Sequence, residues 1–323
     1  MKKILIVFTG GTISMTSFGE SSKSDILDNH DELIKIIEPK FSNTKLEGFV
    51  YSMVPSPSLT PNDMLKIGSL IDSKLENENF DGVVITHGTD TLEETAYFLD
   101  LYLDTKKPVV LTGSLRNFDE LGYDGYSNLL SAILVSLSDK SYGRGVLVCL
   151  NDEINSAVEV TKTHTFALDT FKSLEFGPLG LVDENNVIYY RDASYQSDYI
   201  RPKSLNKKVE ILKLSSGSDP KILDYYLENV DGLVLEGFGR GNVSEVFIPG
   251  IKKLIEKGIT VIITSRCPMG RIRDTYSYLG GGHHLKRLGV LGGGSLPSHK
   301  VRIKLLLILS SGLNPKDYFT YEY

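Results

Sequence analysis

Residues 83–91 read Val83-Val84-Ile85-Thr86-His87-Gly88-Thr89-Asp90-Thr91. The opening run of β-branched apolar residues has no polar face, which is the pattern of a strand covered on both sides. It breaks into small hydroxyl, glycine and acidic residues and then leads into a helix. Working outward, the same strand-like run recurs at Ile4–Phe8, Phe49–Met53, Val109–Thr112 and Val146–Leu150, and later at Val209–Leu214, Leu233–Glu236 and Val261–Thr264. Amphipathic segments lie between. Thr60-Pro61 sets an N-cap before a proline at the first helical position, and Leu65, Ile67, Leu70, Ile71 and Leu75 follow at helical spacing. Strands alternating with helices predict an α/β fold with a largely parallel sheet.

The alternation stops after Gly180. Asp183-Glu184-Asn185-Asn186, the strand-like Val187–Arg191 and a polar stretch with Arg201-Pro202 read as a hairpin and linker. The expected division is a larger N-terminal domain over residues 1–190, a linker over 191–208 and a smaller α/β domain over 209–323. The chain's 323 residues fit two domains at about 150 residues each.

With 41% hydrophobic and 24% charged residues the chain can build a sizeable core, which excludes a disordered protein. A net charge of −6 without a long basic run argues against nucleic acid or a membrane surface as the main partner. The longest aliphatic run, Leu305–Leu309, is far short of the roughly 20 residues that span a bilayer. Lys2-Lys3 before Ile4–Phe8 is too short an apolar stretch for a signal peptide and reads as the first strand. Cys149 and Cys267, both beside apolar runs, are expected as buried thiols of a cytoplasmic protein.

In doubly wound sheets ligands bind beyond the carboxyl ends of the strands. Thr9-Gly10-Gly11-Thr12-Ile13 follows the first strand, Thr86–Thr91 the third, and Thr112-Gly113-Ser114 the fourth. Paired glycines turn the backbone sharply and expose N–H groups suited to an anion or oxyanion. Each segment alone is ordinary cap and turn chemistry. Three together, with hydroxyls at each, point to a site. A hydroxyl nucleophile needs a base, and Val160-Thr161-Lys162-Thr163-His164-Thr165, read as following the next strand, Val146–Leu150, offers Lys162, since a partly buried lysine can give up its proton.

These segments, in this order and spacing, resemble the signatures of bacterial L-asparaginases. The resemblance extends over essentially the whole chain, through Phe176-Gly-Pro-Leu-Gly180 and Gly237-Phe-Gly-Arg-Gly-Asn242. It implies a two-domain α/β enzyme, assembled as a homotetramer of intimate dimers, that hydrolyses asparagine to aspartate and ammonia without a cofactor. By position, Thr12 resembles the nucleophile. Thr89, Asp90 and Lys162 resemble the second catalytic group, with Lys162 tuning Thr89, which activates the nucleophile or the later water; which of the two threonines attacks first is open at this point. Asp90 also matches the acceptor of the substrate's α-ammonium, and Ser56 with the Gly88 backbone matches the α-carboxylate site. The Thr89 N–H matches an oxyanion donor, with Ser114 nearby. Asn242 and the Tyr276–Tyr278 region are candidates for a contribution from a neighbouring chain.

The sequence departs from the periplasmic members in places. Pro55-Ser56-Pro57-Ser58 stands where they carry Gly-Ser-Gln-Asp, and residues 13–50 lack their lid tyrosine, although the polar stretch Ser14 to Asp25 with Gly19 suits a flexible lid. Gly237–Asn242 fails as a dinucleotide loop because Asn242 replaces the last glycine and no acidic residue follows the next strand. His283-His284 lacks partners at metal-ligand spacing and is expected in a surface or interface loop. His87 and His164 flank the candidate site and are expected to serve structural hydrogen bonds. Two other readings are an asparaginase-like amidotransferase component and a non-catalytic amino-acid sensor.

Overall fold

The computed structural model describes residues 1–14, 30–194 and 197–321. They divide into two compact units, Met1–Tyr199 and Ile200–Tyr323.

In the first unit the chain runs β1 (Lys2–Phe8), α1 (His30–Ile37), β2 (Thr44–Val50), α2 (Pro61–Asn77), β3 (Gly82–Thr86), α3 (Leu92–Tyr102), β4 (Val109–Thr112), α4 (Gly125–Leu137) and β5 (Val146–Leu150). Short strands follow: β6 (Glu153–Ser156), β7 (Thr161–Lys162), β8 (Phe171–Lys172), β9 (Gly180–Asp183) and β10 (Asn186–Tyr189). Eight of these form one sheet in the order β10-β9-β6-β5-β4-β3-β1-β2, and β7 and β8 make a separate antiparallel pair. From β2 through β5 every pairing is parallel. Strand order reverses between β1 and β3, and that reversal is where doubly wound sheets open a crevice for ligand.

The apolar runs explain the middle of the sheet. Ile4, Ile6 and Phe8 pack on one face with Leu33 and Ile37 of α1 and Leu129, Ala132 and Ile133 of α4. Leu5 and Val7 alternate to the other face and are equally buried. Each such side chain contributes about 1.5–3 kcal/mol relative to exposure. Helix α2 begins with the expected cap: Thr60 Oγ1 accepts from Asp63 N, and the Asp63 carboxylate accepts from Thr60 N.

Two expectations are corrected here. The second strand occupies Thr44–Val50, not Phe49–Met53. As the sheet's edge it needs only one covered face, so its charged residues disguise it, and Tyr51 and Ser52 leave the sheet with their N–H groups on the Phe8 carbonyl. The Val160–Thr165 segment does not directly follow β5: the antiparallel β6, too short and polar to stand out, intervenes.

The second unit holds β11 (Val209–Lys213), α5 (Ile222–Asn229), β12 (Gly232–Gly237), α6 (Ile248–Glu256), β13 (Thr260–Ser265), α7 (Gly282–Leu288), β14 (Leu291–Gly292) and α8 (Ser298–Ser310). The four strands form a parallel sheet in sequence order. Leu233, Leu235, Val261 and Ile263 build its core with Leu223, Ile251 and Leu254 from the helices. The molecule is thus α/β, with a mostly parallel larger sheet and a smaller parallel one.

Both cysteines are free. Cys149 is buried on β5, but Cys267 is exposed, because β13 ends at Ser265 and Cys267 lies in the loop beyond. His283 and His284 sit in the first turn of α7 rather than in a loop. The expected lid lies outside the described residues from residue 15 onward. Among the described residues no helix is long and apolar enough to cross a membrane.

Candidate active site

Phe8 and Thr86 are register partners, so β1 and β3 end level with each other. Thr9 extends the pairing through its N–H and its hydroxyl, both donated to the Thr86 carbonyl. Beyond that point the two chains meet at glycine. A Cβ on Gly11 would stand 2.3 Å from the Gly88 Cα and 2.4 Å from its nitrogen, and Gly11 has φ +86°. Only glycine fits so close an approach in that left-handed conformation. Thr12 follows one of these touching glycines and Thr89 follows the other. Two residues 77 positions apart therefore flank a single backbone contact.

Thr12 opens a 3₁₀ turn over Thr12–Ser14, closed by Ser14 N donating to the Gly11 carbonyl at 3.0 Å. It is partly buried, whereas Thr89 is almost fully buried. Lys162 reaches from β7 and donates from Nζ to Thr89 Oγ1 at 2.9 Å and to Asp90 Oδ1 at 2.8 Å. The Lys162 side chain is only 14% exposed, but the Asp90 side chain is 64% exposed. Lys162 Nζ is thus enclosed while the Asp90 carboxylate faces solvent, where it can take a cationic group.

Two residues that local sequence did not single out hold this cluster in place. Glu93, buried in the first turn of α3, accepts from Lys162 N at 3.1 Å and fixes the strand that delivers the lysine. Thr91 stands at the N-cap of α3 but makes no capping bond; its hydroxyl donates to the Ser56 carbonyl at 2.8 Å. Asp90 likewise spends its carboxylate on Lys162 rather than on a helix end. Cap chemistry therefore does not account for the Thr89-Asp90-Thr91 segment. Glu93 carries only the ordinary signal of an acid in a first helical turn, so nothing local marks it.

Ser56 is buried at the start of a 3₁₀ turn over Ser56–Ser58, directly against Gly88: a Cβ on Gly88 would lie 2.8 Å from Ser56 Oγ. Ser114 is buried beyond β4 and donates its hydroxyl to the Arg116 carbonyl at 2.8 Å. So Thr12, Ser56, Gly88, Thr89, Asp90, Ser114 and Lys162 all belong to the carboxyl ends of β1, β3 and β4 or to segments packed or bonded there. Asn242 belongs to the second unit, just past β12, where its Oδ1 accepts from Gly282 N at 3.2 Å. Tyr276 and Tyr278 lie there too, exposed, with ring centroids 5.6 Å apart.

The histidines serve hydrogen bonds. His87 is fully buried, with Nδ1 2.7 Å from the Gly88 carbonyl and Nε2 2.9 Å from Thr95 Oγ1. Burial pushes its pKa down to about 4, only partly offset by the Gly88 carbonyl, so the ring is neutral near pH 7. His164 is exposed and accepts at Nδ1 from Phe166 N and Ala167 N.

Comparison with known proteins places the chain in a family. A family model described as "Asparaginase, N-terminal" matches residues 3–195, and one described as "Glutaminase/Asparaginase C-terminal domain" matches residues 208–321. The chain is 33% identical to an L-asparaginase of Bacillus licheniformis over 326 residues, covering 99% of each protein. It is also 33% identical to one component of a glutamyl-tRNA(Gln) amidotransferase of Methanosarcina barkeri, covering 96% of this chain and 74% of that protein. Among solved structures it resembles a probable cytoplasmic L-asparaginase from Campylobacter jejuni, with a TM-score of 0.86, 31% identity and 98% of each chain covered.

Proposed function

The chain belongs to the asparaginase family and is an amidohydrolase; we propose that it hydrolyses the side-chain amide of L-asparagine to L-aspartate and ammonia through a threonine acyl-enzyme. The observation that carries this reading is Lys162 Nζ on both Thr89 Oγ1 and Asp90, beside the Gly11–Gly88 contact that sets Thr12 and Thr89 on either side of one point.

In this reading Asp90 takes the α-ammonium of the substrate, and Ser56 with the Gly88 backbone takes the α-carboxylate. The Thr12 hydroxyl attacks the side-chain amide carbon. The charge that develops on the carbonyl oxygen falls on backbone N–H groups, that of Thr89 foremost, with Ser114 nearby. The hydroxyl proton passes through the Thr89–Lys162 pair to the departing nitrogen, and ammonia leaves as the ester forms. Water, deprotonated by the same pair, then cleaves the ester, restoring Thr12 and releasing aspartate. No cofactor enters these steps.

We place the enzyme in the cytoplasm, as a closed symmetric oligomer, most simply a tetramer. The likeness to the Campylobacter protein, itself described as a probable cytoplasmic L-asparaginase, supports the first. The second rests on the need to enclose a small zwitterion away from water, with Asn242 and the Tyr276–Tyr278 region as residues offered by a neighbouring chain.

Ammonia release by the purified protein tests the function, with L-asparagine and L-glutamine supplied in parallel. Turnover of asparagine, with an acyl adduct located on Thr12 by mass spectrometry after quenching, is the expected result. The similarity to a component of a tRNA-dependent amidotransferase sustains a second reading. Release of ammonia only with a partner protein and charged tRNA would establish that one, and binding without release would make the protein a sensor.

A further inference from the structure

The hydroxyl of Tyr123 donates to the Ile13 carbonyl at 2.7 Å, across a separation of 110 residues. Ile13 is the residue after Thr12 and the centre of the Thr12–Ser14 turn. The entry to that turn is held by the Gly11–Gly88 contact. Its exit needs a separate anchor, because a 3₁₀ turn leaves its last carbonyls unbonded. Ser14 cannot supply the anchor from its side chain: Ser14 Oγ is buried and bonds to nothing among the described residues.

Tyr123 is itself held firmly. Its ring lies edge-on to Phe118 and to Tyr126, with centroids 5.3 and 5.1 Å away. The segment presenting it is braced by Asp124, whose carboxylate accepts from Leu115 N, Arg116 N and Asn128 Nδ2. Arg116 ties the same segment by donating to the Leu121 and Gly122 carbonyls. The ring crosses directly over Gly125, where a Cβ would stand 2.0 Å from the Tyr123 hydroxyl. Glycine at 125 is what leaves room for the tyrosine to reach Ile13. Burial also keeps the phenol protonated, so that it remains a donor throughout the working pH range.

We propose that Tyr123 is a positioning residue for Thr12: its hydrogen bond to the Ile13 carbonyl fixes the exit of the turn and with it the direction of the Thr12 hydroxyl. The inference rests on Thr12 being the nucleophile. A displacement of about 1 Å at a reacting group can cost on the order of 10²-fold in rate. Tyr123→Phe keeps the ring among its aromatic neighbours and removes only the bond.

The test is steady-state kinetics on L-asparagine with thermal melts of the same samples. Tyr123→Phe should lower kcat about tenfold with KM within about twofold, because Asp90 and Ser56 sit on other segments, and should leave the pH profile unshifted. Gly125→Ala, which pushes the ring off Ile13, should lower kcat in the same direction. In a Thr12→Val background, Tyr123→Phe should cause no further loss. An unchanged kcat in Tyr123→Phe overturns the proposal. So does a loss shared between kcat and KM, or one that merely follows a lowered Tm. An equal extra loss in the Thr12→Val background also overturns it, because Tyr123 would then act elsewhere. The nucleophile assignment fails separately, on near-normal activity of Thr12→Val with Tyr123 intact.

Discussion

Both units place polar residues beyond the carboxyl ends of a parallel sheet, yet they use them differently. In the second unit the segment after β12 folds back on itself, with Phe238 N and Asn242 N each donating to the other residue's carbonyl. Thr264 donates to the Leu235 carbonyl, Ser265 to the Gly239 carbonyl, and Asn242 accepts from Gly282 N. These bonds run between side chain and backbone and shape the loops. In the first unit Lys162 donates, side chain to side chain, to both Thr89 and Asp90. The sheets also differ in topology: the first reverses strand order between β1 and β3, where doubly wound sheets open a crevice, whereas the second runs in sequence order. The first unit adds a cation delivered from outside the main sheet, Lys162 on β7, to the Thr89 hydroxyl and the Asp90 carboxylate.

The comparison breaks first if the hydroxyls of the first unit are dispensable. Thr12→Val and Thr89→Val preserve shape and should each lower turnover by at least ~10³, measured as ammonia release. Equivalent removal of the Ser265 hydroxyl by Ser265→Ala should leave turnover within a few-fold.

Lys162→Met keeps the aliphatic stem and removes the charge, and a loss of about 10²–10⁴ in kcat is expected. Combined with Thr89→Val it should add little, since the two act as one unit. Additive losses would mean that Lys162 serves some other group.

His87 sharpens the contrast, because it lies at the first unit's strand ends yet serves hydrogen bonds within the fold. Its folded pKa of about 4 lies below the ordinary value of 6.5, so between these pH values the unfolded chain holds a proton that the native chain refuses. Stability should be full above about pH 7 and fall as the pH drops through 6.5 toward 4, by roughly 3 kcal/mol from this group. Urea titrations across that range should show the fall, and His87→Gln should flatten it. Activity at pH 6–8 should carry no step from His87.

The smallest effect is expected in the second unit. Asn242→Ala should raise KM several-fold and leave kcat nearly unchanged, if a neighbouring chain's Asn242 helps enclose the substrate. Light scattering and activity on one dilution series check the shared site, and a fully active monomer would remove it.

Much of this was legible in the sequence because it is local. Continuous apolar runs mark central strands wherever both faces must be covered, as in β1 and β3. Thr60-Pro61 marks a helix start through the bonds its own neighbours need. The segments at Thr12, Thr89-Asp90 and Lys162, each ordinary by itself, were readable together through their order and spacing. Tertiary structure alone decided the rest. An edge strand such as β2 lacks the signal because one side is wet, and Cys267 is exposed because β13 stops two residues earlier. The Gly11–Gly88 contact, Glu93 on Lys162 N, Thr91 on Ser56 and Tyr123 on Ile13 join segments 35 to 110 residues apart. Local pattern records which face a residue must bury; which distant backbone group then falls within 3 Å of it is settled only when the layers pack.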